Sequence, residues 1–297
     1  MRQVGVLRHE AIRGERTARR HRTRSAGASG SSRPSSLRSW GCSLSVTGSA
    51  AAHESNGAGA KPTIVLVHGD WADGSSWSGV IPRLQRQGYT VVAPPNQFRG
   101  PSVDDPYLAS YLQTISGPII LVGHSYGGFV ITNAATGNAN VKALVYIDAF
   151  IPDANQTLAD LSSPESCLDP ATAFNVVPFS GGVDLYLRIP PNPPYTGFNQ
   201  CFANGVPPNQ AAVLSAVQRP AAAAQLGEPS GPPAWADIPS WSLIGTEDHA
   251  VPPSLQEQMS TNAGAHISYV KAGHLGLITR PNAVVRVIDQ AIRATSG

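Results

Sequence analysis

The 297-residue chain is expected to fold as an α/β domain with a doubly wound, mostly parallel sheet, and three observations lead there. From Lys61 onward, short apolar runs rich in β-branched residues alternate with helix-like stretches, the rhythm of βαβ units. Several runs show little polar alternation, as strands do when both faces of a parallel sheet are covered. In "LVGHSYGGF" at 121–129, one such run passes straight into a helical pattern through a serine flanked by glycines.

Six runs have the length of buried strands: "TIVLVHG" at 63–69, "YTVVAPP" at 89–95, "PIILVGH" at 118–124, "KALVYIDAF" at 142–150, "SWSLIGT" at 240–246 and "HISYVKAGH" at 266–274. Helices are expected near 76–87, 103–115, 126–137, 253–263 and 281–294. Residues 151–239 break the rhythm and hold more than half of the 26 prolines, including "PPNPPY" and "PSGPPAW", with short helical pieces expected near 208–226. So long a segment between two strands is usually functional or flexible, and it reads as a lid over the strand ends. The domain is therefore expected over 61–297, with the lid at about 151–239.

Residues 1–60 read as a disordered leader, because Arg, Ser and Gly dominate and too few apolar side chains are present to build a core. Ten arginines give this segment a formal charge of +7, whereas residues 61–297 carry −5. The basic leader has neither interleaved aromatics nor a motif, so nucleic acid is not an expected partner. Ala50 and Ala52 are spaced like an A-x-A cleavage site, but "SWGCSLSVTG" before them lacks the apolar core of a secretory signal. An extracellular location is suggested without being fixed, and a cytoplasmic one is the alternative. No run approaches 18 apolar residues, so no membrane span is expected. Cys42 falls in the leader; Cys167 and Cys201 would bridge in an exported protein and stay free thiols otherwise. No Cys/His spacing resembles a metal site, and neither metal nor cofactor is expected.

The candidate chemistry starts at Ser125. A sharp strand-to-helix turn holds its central residue in strained backbone angles and needs neighbours without bulk, which accounts for Gly123 and Gly127. A serine hydroxyl needs a base within hydrogen-bond reach. His274 is the candidate, since it follows the last strand, whereas His68 and His124 belong to turns, His249 neighbours the expected acid and His266 opens a strand. Asp248, in the loop after the penultimate strand, would fix the histidine tautomer and stabilise its imidazolium; Asp148, at the end of another strand, and Glu247 are its rivals. The backbone N–H groups of Tyr126 and Asp70 are expected to form an oxyanion hole. The Asp70 side chain is awkward there, and would have to turn to solvent or cap the helix beginning near Ser75. Trp71 and Phe150 are the expected pocket residues; Trp77, Trp235, Phe174, Phe179, Phe198 and Phe202 are as readily packing.

Over residues 61–297, "LVHGDWADGSSW", "LVGHSYGG", "GTEDHAVPP" and "AGHLGLITRP" resemble the α/β-hydrolase superfamily, and within it a bacterial group of small serine esterases related to plant methyl-ester esterases and hydroxynitrile lyases. The resemblance implies the chain order Ser, acid, His, which Ser125, Asp248 and His274 follow. It implies a cofactor-free hydrolase acting on a small-molecule carboxylic ester through an acyl-enzyme. The lyases of the group carry threonine where Gly69 stands and lysine where Leu275 stands, and both are absent. Asp70 departs from the group, where a small apolar residue is usual. Two other readings remain: a lyase or C–C hydrolase using the same triad, and a noncatalytic hydrolase-fold protein that holds a ligand under the lid.

Overall fold

A computed structural model describes residues 60–189 and 197–296. The expected leader through residue 59, with its A-x-A site and Cys42, lies outside the described residues, as does the "PPNPPY" stretch. Along the chain come β1 (Thr63–Val67), a 3₁₀ turn (Gly74–Trp77), α1 (Ile81–Arg86), β2 (Thr90–Val92), α2 (Pro101–Gln113), β3 (Ile119–His124), α3 (Tyr126–Ala134) and β4 (Val141–Ile147). After an insertion follow β8 (Ser240–Gly245), α6 (Pro253–Asn262), β9 (His266–Val270), α7 (Gly276–Thr279) and α8 (Pro281–Thr295). All six strands pair in parallel in the order β2-β1-β3-β4-β8-β9, as the apolar runs led one to expect.

The apolar β-branched runs become strands because both faces are covered. Every residue of β3 and of β8 is buried. α8 lays Val284, Val287, Ile288, Ala291 and Ile292 into the core at helical spacing, and both α6 and α8 begin with proline at the first turn, where its missing N–H costs nothing. The winding direction reverses between β1 and β3, which are neighbours in the sheet although β2 separates them in sequence. Ligands of open α/β sheets bind beyond the carboxyl ends of the strands at such a reversal. Ser125 follows β3 directly, and Asp70 comes three residues after β1.

The insertion between β4 and β8 has a small sheet of its own, in the order β5 (Phe174–Phe179), β6 (Gly182–Leu187), β7 (Ala221–Ala222), all antiparallel. It also contains α4 (Gly197–Cys201), α5 (Pro208–Ala216) and 3₁₀ turns at Ala223–Leu226 and Ala234–Ala236. The short helical pieces expected near 208–226 are α5 and the 3₁₀ turn at Ala223–Leu226, with a break between them. Pro220 disfavours helix at the residue before it, and the Gln218 side chain bonds both the N–H and the C=O of Leu187, at 2.9 and 3.1 Å, so the segment continues beside β6 as β7. The sequence reading missed the β5/β6 hairpin. Its outer strand carries Pro178 and exposes Val176, Val177 and Phe179, which blurs the alternation by which strands are read. Cys167 and Cys201 are joined by a disulfide, with their Cα atoms 5.6 Å apart. Among the described residues, no helix is long and apolar enough to cross a membrane.

Candidate active site

Ser125 occupies a left-handed backbone conformation, φ 53° and ψ −126°, which a non-glycine residue adopts only where the surroundings enforce it. They do so here by close packing. A Cβ on Gly123 would lie 2.5 Å from the Gly127 carbonyl oxygen, and one on Gly127 would lie 2.5 Å from that of Val67. The serine N–H donates to the Ile147 carbonyl at 3.3 Å, and its own carbonyl accepts from Gly128 and Phe150. The turn is thus tied to α3 and to the end of β4, and its side chain sits at the head of α3.

Asp248 and His274, from the loops after β8 and β9, form a fully buried pair with Nδ1 to Oδ2 at 2.8 Å. Three more hydrogen bonds reach the same carboxyl group: the N–H groups of Ala250 and Val251 donate to Oδ1 at 2.8 and 3.0 Å, and Gln256 Nε2 donates to Oδ2 at 2.9 Å. That set suits a carboxylate, which only accepts. With Nδ1–H directed to the aspartate, Nε2 keeps its lone pair; it is buried and without a hydrogen-bond partner among the described residues. No hydrogen bond joins it to the Ser125 hydroxyl among the described residues; bonds of this kind often tighten only in the complex with substrate. The histidine is held from behind as well, because His124 Nε2 donates to the His274 carbonyl at 2.9 Å and the two rings lie 4.7 Å apart. Burial and the neighbouring His274 push the His124 ring far below its usual titration range, so it serves as a neutral donor.

The rival acids fall elsewhere. Asp148 is fully buried in a left-handed conformation, φ 45°, and its Oδ1 accepts from the Gly245 N–H at 2.7 Å rather than from the histidine. Burial, and then the Asp248 charge, raise its pKa well above the carboxylate range, so it stands as a neutral acid behind the pair. Glu247 is at the surface and faces Lys271 at 3.5 Å.

The loop after β1 corrects one expectation. Asp70 neither faces solvent nor caps the 3₁₀ turn; Asp73 is the cap, accepting from the Ser75 N–H at 2.7 Å. Asp70 is 5% exposed and accepts from Gln225 Nε2 of the insertion at 2.7 Å. The backbone N–H groups of Asp70 and Tyr126 have no hydrogen-bond acceptor among the described residues. Trp71 adopts φ 56° and donates from Nε1 to the Leu185 carbonyl of β6 at 3.0 Å.

Ser125 opens on a cavity of about 650 Å³, also lined by Asp70, Trp71, Phe150, Leu158, Leu161, Phe174 and Leu226. The two expected pocket residues are among them. Of the other aromatics, Phe174 lines this cavity, Phe202 packs against Trp71 and His274 with Phe198 against it, Trp77 is core, and Phe179 is exposed. Four site neighbours went unnoticed in the sequence: Gln256, Gln225, Asn204 and the His124 donor. Asn204 Nδ2 donates to the Glu247 carbonyl at 2.6 Å, and its side chain fills the space a Cβ on Gly273 would need. A lone Asn or Gln, in the insertion or on α6, carries no pattern that would reveal such contacts.

Residues 64–287 match the alpha/beta hydrolase family, and the chain belongs to that family. A carbendazim hydrolyzing esterase of Nocardioides sp. (strain SG-4G) is 34% identical over 110 residues, 33% of this chain and 46% of that protein; the match thus spans under half of that relative. Alpha/beta hydrolase nvfD of Aspergillus novofumigatus (strain IBT 16806) is 26% identical over 252 residues, 78% of this chain and 96% of its own length. A pyrethroid hydrolase from Sphingobium faniae JZ-2 superposes with a TM-score of 0.62 at 19% identity, over 79% of this chain and 98% of that one. At that identity the likeness is one of fold.

Proposed function

We propose that the chain is a cofactor-free serine esterase that cleaves small or medium carboxylic esters through an acyl-enzyme on Ser125. The observation that carries this reading is the buried Asp248–His274 pair, with a partnerless Nε2, at the sheet edge where Ser125 is held at φ 53°. In the forward step His274 Nε2 takes the hydroxyl proton as Ser125 Oγ attacks the ester carbonyl, and Asp248 stabilises the resulting imidazolium. The N–H groups of Asp70 and Tyr126 receive the developing oxyanion, aided by the dipole at the head of α3. The imidazolium then protonates the departing alcohol, and water attacks the acyl-enzyme with His274 again as base.

Residues 151–239 act as the lid, and the apolar lining of the cavity suits an uncharged acyl or alcohol group. Esterase relatives such as the Nocardioides enzyme favour the same reaction class. The lyase alternative is opposed at Gly69, where a Cβ would lie 2.5 Å from that of Ser125, leaving no room for threonine. Turnover of a p-nitrophenyl ester by wild type and Ser125→Ala tests the proposal. A loss on the order of 10⁶ in kcat is expected; equal rates would remove the nucleophile, and no turnover by either protein would favour the noncatalytic binding protein.

A further inference from the structure

Asp70 and Gln225 leave a polar imbalance beside the site. Gln225 Nε2 donates to Asp70 Oδ2 at 2.7 Å, yet Asp70 Oδ1 and Gln225 Oε1 are both buried and without a partner among the described residues. Asp70 is 5% and Gln225 1% exposed, and the two orphaned oxygens are themselves buried. A buried acceptor left without a donor is destabilising. Both orphans are acceptors and both belong to one contacting pair, so a single proton would satisfy both.

We infer that Asp70 and Gln225 form a carboxylic acid–amide pair: the Asp70 Oδ1–H donates to Gln225 Oε1 while Gln225 Nε2 donates to Asp70 Oδ2, and this neutral clasp positions the oxyanion loop. The inference rests on the reading of the Asp70 N–H as an oxyanion donor. It resolves why an aspartate is tolerated there, since a neutral side chain does not oppose the charge its own N–H receives. It also makes Gln225, in the 3₁₀ turn of the insertion, a positioning residue. The next loop residue is tethered to the same insertion through Trp71 Nε1 and the Leu185 carbonyl, so two consecutive residues of the loop hang on the insertion.

The charged and titratable groups around the pair favour the neutral form. Asp104 of α2 faces it, itself bonded to the Tyr126 hydroxyl of α3 at 2.9 Å and to the N–H groups of Arg99 and Gly100. Arg99 is the nearby cation and is committed to Asp184 of β6 at 2.8 Å. Burial is the main cause raising the Asp70 pKa well above the carboxylate range, and Asp104 adds to it, against the Gln225 bond and Arg99.

The test is an infrared difference spectrum between wild type and Asp70→Asn near neutral pH, joined to steady-state kinetics of Gln225→Leu. Asparagine can form the same two-bond ring with Gln225, so the fold survives the first substitution. The spectrum is expected to lose the carbonyl band of a protonated carboxylic acid. Gln225→Leu is expected to lower kcat at least about tenfold, short of the 10²–10³-fold cost of a whole oxyanion donor, with KM changing less. Loss of carboxylate bands instead, or a raised KM at unchanged kcat, would overturn the clasp. Since the spectrum does not depend on turnover, a failed esterase reading and a failed clasp are distinguishable.

Discussion

Asp248 and Asp148 are both fully buried carboxyls at one edge of the sheet, and only their hydrogen-bond partners separate their roles. Asp248 collects four donors, one of them the imidazole; Asp148 meets the Gly245 N–H and is pushed towards its neutral form by burial. Asp248→Asn is therefore expected to lower kcat by about 10⁴-fold, because an amide supports the wrong tautomer, while Asp148→Asn retains most of it in the same ester assay. The reverse ranking would reassign the orienting acid. Sequence alone favoured Asp248 and kept Asp148 and Glu247 as rivals, but it did not show the ground for the choice, which lies in the N–H groups that the loops aim at each carboxyl. The Asp70 side chain was misplaced for a related reason. Its partner, Gln225, is 155 residues away, beyond anything that local capping patterns at Ser75 could indicate.

At the level of elements, the insertion does more than cover the strand ends. It docks on the acid loop through the Cys167 N–H to the His249 carbonyl at 2.9 Å, the Ser166 hydroxyl to the Ala250 carbonyl at 2.6 Å, and Asn204 to Glu247. The disulfide closes a 34-residue separation around the β5/β6 hairpin, next to these contacts. In the chain-entropy model such a link is worth about 3–4 kcal/mol. Replacing both cysteines by serine is expected to lower the melting temperature by roughly 10 °C, at about 2–4 °C per kcal/mol, as read by calorimetry with and without reductant. A variant that melts with wild type would show that the bridge does not hold the insertion.

Across the whole molecule, the parallel sheet was legible because its strands are largely buried on both faces and so read as apolar runs; five of the six fall within the expected stretches, and β4 begins one residue before its own. The elbow was legible for a different reason, since Gly123 and Gly127 are demanded by backbone contacts of 2.5 Å and leave a fixed spacing around the serine. The insertion resisted reading. Its hairpin is half exposed, and its polar anchors to the site are single residues. Among the described residues the lining of the 650 Å³ cavity carries no Lys, Arg or His, which together with the five excess negative charges over 61–297 supports the proposed uncharged ester over an anionic one.

The central claim is that Ser125 is a nucleophile made reactive by His274. Incubation with a fluorophosphonate, followed by peptide mass spectrometry, addresses it without knowledge of the natural ester. One adduct per chain, on Ser125, is expected in wild type, with none in Ser125→Ala and sharply slowed labelling in His274→Ala. A protein that stays unlabelled, or one labelled elsewhere or at the same rate without the imidazole, would contradict it.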